Sequence, residues 1–199
     1  TDGMWVVTPS LPGRPDGPPC TDVAQAADAL LALLPPGPVA VVGHSYGGAV
    51  ALELALRGDR LSALVLVSSG ARLRVHPQLL DAAASGPMSM GFAFGPGSAE
   101  AAAAYDAAVA QVPPATAAAD WRACDRFDRL DRLGELRVPT WVLAGTEDPL
   151  TPIARQRTLA QRIPGARLIE VEGAGHMWPW ERPDRFAAAL REVTAALGG

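Results

Sequence analysis

Val39-Ala40-Val41-Val42-Gly43-His44-Ser45-Tyr46-Gly47-Gly48-Ala49-Val50-Ala51-Leu52-Glu53-Leu54-Ala55-Leu56 is the stretch on which the reading of this chain turns. Its first four residues are apolar and mostly β-branched, and Pro35-Pro36-Gly37-Pro38 stands in front of them. That combination predicts a buried strand entered from a turn. Ala49–Leu56 is rich in alanine and leucine and predicts a buried helix. Between them, Gly43-His44-Ser45-Tyr46-Gly47 fits G-x-S-x-G in the strand–turn–helix setting that this motif requires. A serine on so sharp a turn lifts its hydroxyl above the sheet. The crowded backbone then calls for residues without Cβ, which assigns that duty to Gly43 and Gly47. The helix that follows aims its N-terminus at the same point. The Tyr46 N–H and the helix dipole are thereby placed to stabilise a developing oxyanion. A turn that merely packs tightly, or cradles a phosphate, is the plainer alternative for an isolated match. The flanking strand and helix favour a nucleophile.

A serine near neutral pH needs a base beside it, and the base needs an acid to orient it. The C-terminal half supplies both, in the order Ser, Asp, His. Asp148 follows the apolar run Thr140–Ala144 in the loop Gly145-Thr146-Glu147-Asp148-Pro149-Leu150-Thr151-Pro152. His176 lies in Glu172-Gly173-Ala174-Gly175-His176-Met177, after a strand expected at Arg167–Val171. Both therefore leave the carboxyl ends of strands, as Ser45 does. The rivals are weaker. Asp148 alone reads equally as a turn residue before proline, and Glu147 is its neighbour. Asp125 and Asp128 sit in Arg126-Phe127-Asp128-Arg129 surroundings that suit an exposed charged helix face. His44 is the variable residue of the turn and reads as packing or support, and His76, beside Pro77, as a surface residue.

The bulk composition bounds the rest. At 199 residues, 49% hydrophobic and 19% charged, the chain has enough apolar material for one domain with a sizeable core. A net charge of −4 argues against nucleic acid or an anionic membrane as partner. No apolar run approaches the roughly 18 residues of a membrane span, and Thr1-Asp2-Gly3-Met4 has no signal-peptide character. Cys20 and Cys124 are far apart and lack metal or redox spacing, which predicts two free thiols, no metal, no cofactor and a cytoplasmic setting.

Taken in order, the expected elements are a strand at Met4–Thr8, a proline-rich loop Pro9–Pro19 and a helix Val23–Leu34 opened by Thr21-Asp22. After the nucleophile turn comes Leu61–Ser69, a nearly continuous apolar run typical of a strand covered on both faces. Residues 71–133 break the alternation with a Gly/Met/Phe-rich loop at Gly86–Gly97 and helices at Ser98–Val112 and Ala115–Leu133. Helices at Ile153–Arg162 and Pro183–Leu197 complete the series. Alternating strands and helices predict an α/β fold with a mostly parallel sheet.

The nucleophile turn, the Asp148-Pro149-Leu150-Thr151-Pro152 loop and the Gly173-Ala174-Gly175-His176-Met177 loop together resemble the α/β-hydrolase superfamily. The resemblance covers most of the chain. It implies a core of residues 1–70 and 134–199 and a small cap at 71–133. It implies Ser45, His176 and Asp148 as a triad, with Met90, Phe92, Phe94, Trp121 and His44, and Met88 beside them, as candidates to line a substrate pocket. The stretch Asp120-Trp121-Arg122-Ala123-Cys124-Asp125-Arg126-Phe127-Asp128 looks most like small-molecule esterases and enol-lactone hydrolases. The implied substrate is a small ester, lactone or thioester. The same triad elsewhere supports C–C hydrolysis, perhydrolysis and hydroxynitrile lysis, and a non-catalytic descendant is the alternative of another class.

One departure is visible. Relatives carry roughly twice as many residues before the serine, including a strand beside the nucleophile strand and a His-Gly loop that gives the second oxyanion donor. No His-Gly precedes Ser45 here. Three expectations follow: the chain is shortened relative to a fuller hydrolase, or Met4–Thr8 slides into the vacant place with Ser10–Gly13 as an improvised oxyanion loop, or a second copy of the chain covers the gap as a homo-oligomer.

Overall fold

The structure, a computed structural model, describes residues 6–58, 60–86 and 88–197. Four parallel strands form one sheet in the order β1 (Val39–His44), β2 (Leu61–Val67), β3 (Thr140–Gly145), β4 (Arg167–Val171). The helices are α1 (Val23–Leu33), α2 (Tyr46–Ala55), α3 (Pro77–Ser85), α4 (Ala99–Val109), α5 (Pro114–Arg126), α6 (Ile153–Arg162), α7 (Trp178–Glu181) and α8 (Pro183–Leu197). None of the described helices is long and apolar enough to cross a membrane.

The unbroken apolar run of β2 has a direct structural meaning. Side chains alternate across a strand, so Leu64 and Leu66 enter one core and Ala63, Val65 and Val67 the other. The first core joins α1, α2 and α6 to the sheet through Val23, Ala27, Val50, Leu52 and Leu159. The second seats α7 and α8 through Trp178, Ala189 and Val193. Helices on both faces are what a parallel sheet needs for burial, and the α/β class expected from the sequence stands.

β1 lies at an edge, with β2 its only neighbour among the described residues. Ala40 and Val42 are exposed there, Val42 to 46%. Met4–Thr8 is where the sequence predicts a further strand. Val6, Val7 and Thr8 form no strand, Val6 is 62% exposed, and Met4 and Trp5 lie outside the described residues. Val6 and Val7 are both exposed, and the described part of this segment adds no strand to the sheet.

Between β2 and β3 the chain runs through α3, α4 and α5, with a 3₁₀ turn at Gly91–Ala93. This segment leaves and returns at one strap. Arg72 and Asp128 pair as an antiparallel bridge, the Leu73 N–H donates to Phe127 O at 3.3 Å, and the Arg129 N–H donates to Ala71 O at 2.8 Å. The helix expected over Ala115–Leu133 is broken at that strap. Phe127 turns extended (φ −69°, ψ 123°) to bury its ring at 3% exposure, and a separate 3₁₀ helix follows at Leu130–Glu135. α3 went unanticipated, although Pro77 at its first turn and the His76 ring, which accepts from Gln78 N–H, are ordinary opening signals.

Candidate active site

β1, β3 and β4 all end on the carboxyl side of the parallel sheet, and the chain just past each end carries a polar side chain to the same place. Ser45 follows β1 with φ 52° and ψ −117°, a conformation that L residues adopt only when the surroundings impose it. Its peptide is fixed from both sides. The Ser45 N–H donates to Val67 O at 2.9 Å, and Ser45 O accepts from Ser69 Oγ at 2.9 Å and Gly48 N–H at 3.0 Å. Gly43 is required: a Cβ there would stand 2.7 Å from Gly48 Cα. The second steric requirement falls on Gly48, whose Cβ would meet Ser69 Cβ at 2.5 Å, and not on Gly47, whose Cβ would meet nothing within 4 Å. Tyr46 opens α2, so its N–H is among the first-turn donors that a helix leaves without an internal partner.

His176 is buried at 1% exposure, and its Nε2 lies 2.9 Å from Ser45 Oγ. Its Nδ1 lies 3.0 and 2.9 Å from the two oxygens of Asp148. Its loop is tied to the segment before α4, because the N–H groups of His176 and Met177 both donate to Ala93 O, at 3.1 and 3.2 Å. Asp148 is 4% exposed and accepts from Leu150 N–H (2.9 Å), Thr151 N–H (2.8 Å) and Thr151 Oγ1 (2.6 Å). Gln156 Nε2 reaches the same carboxylate at 3.4 Å and Thr151 O at 2.8 Å. Burial opposes the charge on Asp148, but the bonds from His176 and Thr151 outweigh it and hold its carboxyl below the usual range. An ionised carboxylate facing Nδ1 keeps the proton there and leaves Nε2 free to accept from the serine.

His44 supports this arrangement from behind. Its ring stands 5.0 Å from the His176 ring and 5.2 Å from that of Trp180. Burial, reinforced by neighbouring His176, pushes it down to about 3, so it is neutral near pH 7. Its Nε2 lies 2.9 Å from His176 O, and a carbonyl only accepts, so Nε2 carries the proton.

Ser45 opens onto two clefts. The first, of about 280 Å³, is lined by Met88, Met90, Trp121, Tyr105 and His44, with Arg14 paired to Asp120. The second, of about 440 Å³, lies along Leu73–Pro77 and Pro149–Pro152. Trp121 and Cys124 border both. Burial raises the Cys124 thiol far above its ordinary value, which keeps it protonated and inert beside Ser45. Cys20 and Cys124 are both free.

Of the residues singled out in the sequence, Ser45, Asp148, His176, Tyr46, His44, Met90 and Trp121 converge here. Phe92 and Phe94 do not. Phe92 is 49% exposed, and Phe94 packs against Tyr105 at 5.9 Å, outside both cleft linings, because the 3₁₀ turn Gly91–Ala93 faces its backbone to the His176 loop. Glu147 is exposed. Asp125 accepts from Val75 N–H and Asp128 pairs with Arg72, so neither approaches His176. The sequence reading missed Gln156 and Arg14, which no short motif marks.

The family described as "Alpha/beta hydrolase family" matches residues 1–189. A pimeloyl-[acyl-carrier protein] methyl ester esterase of Aromatoleum aromaticum is 30% identical over 96% of this chain and 88% of its own length. A polyketide synthase of Burkholderia thailandensis is 36% identical over 82% of this chain, which spans only 9% of that protein. The crystal structure of the enol-lactonase from Burkholderia xenovorans LB400 superposes with a TM-score of 0.75 at 25% identity, over 89% of this chain and 75% of that one.

Proposed function

The chain belongs to the alpha/beta hydrolase family, and from that premise we propose that it is a serine hydrolase of carboxylic esters, acting on a small ester, lactone or thioester through Ser45, His176 and Asp148. The observation that carries this reading is the continuous line of contacts from Ser45 Oγ through His176 to the Asp148 carboxylate, 2.9 Å at each junction.

The chemistry is acyl transfer in two halves. Ser45 Oγ attacks the substrate carbonyl while His176 Nε2 takes its proton, and Asp148 steadies the imidazolium that forms. The negative charge on the carbonyl oxygen develops beside the Tyr46 N–H at the positive end of α2. Collapse returns the proton from Nε2 to the leaving oxygen or sulfur and leaves Ser45 acylated. Water, deprotonated by the same Nε2, then releases the acid. The segment 71–133 acts as a cap, with Met88, Met90 and Trp121 shaping the cavity over the serine. Named activities of relatives on a methyl ester and an enol-lactone agree with this substrate class.

The direct test is hydrolysis of a p-nitrophenyl ester series by wild type and Ser45→Ala, each shown to be folded by circular dichroism. Wild type turns over, and Ser45→Ala loses activity by about 10⁶-fold, to the uncatalysed background. Turnover that survives Ser45→Ala overturns the assignment.

A further inference from the structure

The two clefts that meet at Ser45 differ in charge. In the first, the guanidinium of Arg14 is matched by Asp120. The second holds Arg74, His76 and Arg155 and no Asp or Glu in its lining. Arg74 is partly spoken for, since its Nη1 donates to Asp125 O at 2.8 Å and its Nη2 lies 4.0 Å from Asp128. Arg155 is different. Its Nη1 is buried and has no hydrogen-bond partner among the described residues.

A buried guanidinium nitrogen without an acceptor is costly, because it has given up water and received nothing in return. Arg155 stands in the first turn of α6, where the helix dipole adds to the positive field and offers its side chain no relief. It also borders a smaller cleft with Arg72 and Thr158, and that lining too has no acid. Asp148, in the loop that leads into α6, is already committed to His176, Thr151 and two backbone amides.

We propose that the cleft lined by Arg74, His76 and Arg155 receives an anionic group of the substrate, a carboxylate or a phosphate, with Arg155 as its principal partner. The preferred substrates are then esters with one anionic end, whose reacting carbonyl reaches Ser45 while the charge lies against Arg155. Arg155 is a specificity residue and takes no part in bond making. This rests on the serine-hydrolase reading above and adds the substrate's charge to it.

The test is kcat/KM for matched charged and neutral esters, followed by proton release. Monomethyl adipate against methyl hexanoate places a carboxylate on the acyl side. On the leaving side, 4-acetoxybutanoate is set against butyl acetate, and 2-acetoxyethyl phosphate against propyl acetate, so the arms separate carboxylate from phosphate and one side from the other. The wild type should prefer the anionic member of at least one pair tenfold or more. That ratio should fall about tenfold in Arg155→Gln and be partly restored in Arg155→Lys, with added salt lowering it in the wild type. The ratio is internal to each variant, so general damage to the enzyme does not imitate the effect. Ser45-dependent hydrolysis with no charge preference, or with a preference that Arg155→Gln leaves unchanged, overturns the inference and spares the hydrolase assignment. Absence of Ser45-dependent hydrolysis of any ester overturns both.

Discussion

Asp148 carries more of the site than its place in the chain suggests. A carboxylate buried to 4% exposure is costly unless nearly every lone pair is used, and here two backbone amides, the Thr151 hydroxyl, Gln156 and His176 use them. Two predictions belong at this scale. Asp148→Asn replaces an acceptor by a side chain that can turn a donor toward Nδ1, moving the His176 proton to the wrong nitrogen. Its kcat should fall by about 10⁴ with folding retained. Thr151→Val removes one charge-assisted bond at 2.6 Å and keeps the shape. A bond of that kind contributes about 1.5–3 kcal/mol, so kcat should drop roughly 10- to 100-fold with KM little changed. A drop confined to KM would show that Thr151 meets substrate and does not position the acid.

At the scale of elements, the strand–turn–helix around Ser45 works because its backbone has no room to relax. Gly43→Ala would drive a methyl into the backbone of Gly47 and Gly48 while Val67 and Ser69 hold the Ser45 peptide in place. Overpacking of this kind costs about 1–3 kcal/mol. Denaturant melts should show that loss for Gly43→Ala and a much smaller one for Gly47→Ala, and equal losses would contradict the steric account. This element was legible because three local demands coincide in it: β-branched residues before the turn, glycines in it, and helix formers after it. The loops of Asp148 and His176 were legible for a related reason, each being a short polar interruption after an apolar run. Contacts between distant segments left no such mark. Nothing in the spelling of Arg14 announces Asp120 across the chain, and Phe92 and Phe94 read as pocket residues only because composition does not say which way a 3₁₀ turn faces. The segment Val6–Thr8 misled for the opposite reason: its local preference for a strand is matched by neither pairing nor burial, Val6 and Val7 both being exposed.

At the scale of the whole molecule, the parallel sheet brings three strand ends out on its carboxyl side, so the groups proposed to act on substrate are also tied into global stability. His44 makes that tie measurable. Its folded value of about 3 lies well below the ordinary value of 6.5, because burial beside His176 disfavours the charge. Between those values the unfolded chain binds a proton that the folded chain excludes, so stability rises with pH across this window. The full contribution is present above about pH 6.5 and is lost as pH falls toward 3. At pH 5 the unfolded imidazole is almost fully protonated, which favours unfolding by about 2 kcal/mol relative to pH 7. His44→Gln keeps an N–H donor for His176 O and removes the titration. Chemical denaturation at pH 7 and pH 5 should therefore show wild type losing about 2 kcal/mol more than His44→Gln over that interval. Parallel losses in the two proteins would mean that the His44 ring takes up its proton without unfolding, and that the contact with His176 O yields under mild acid.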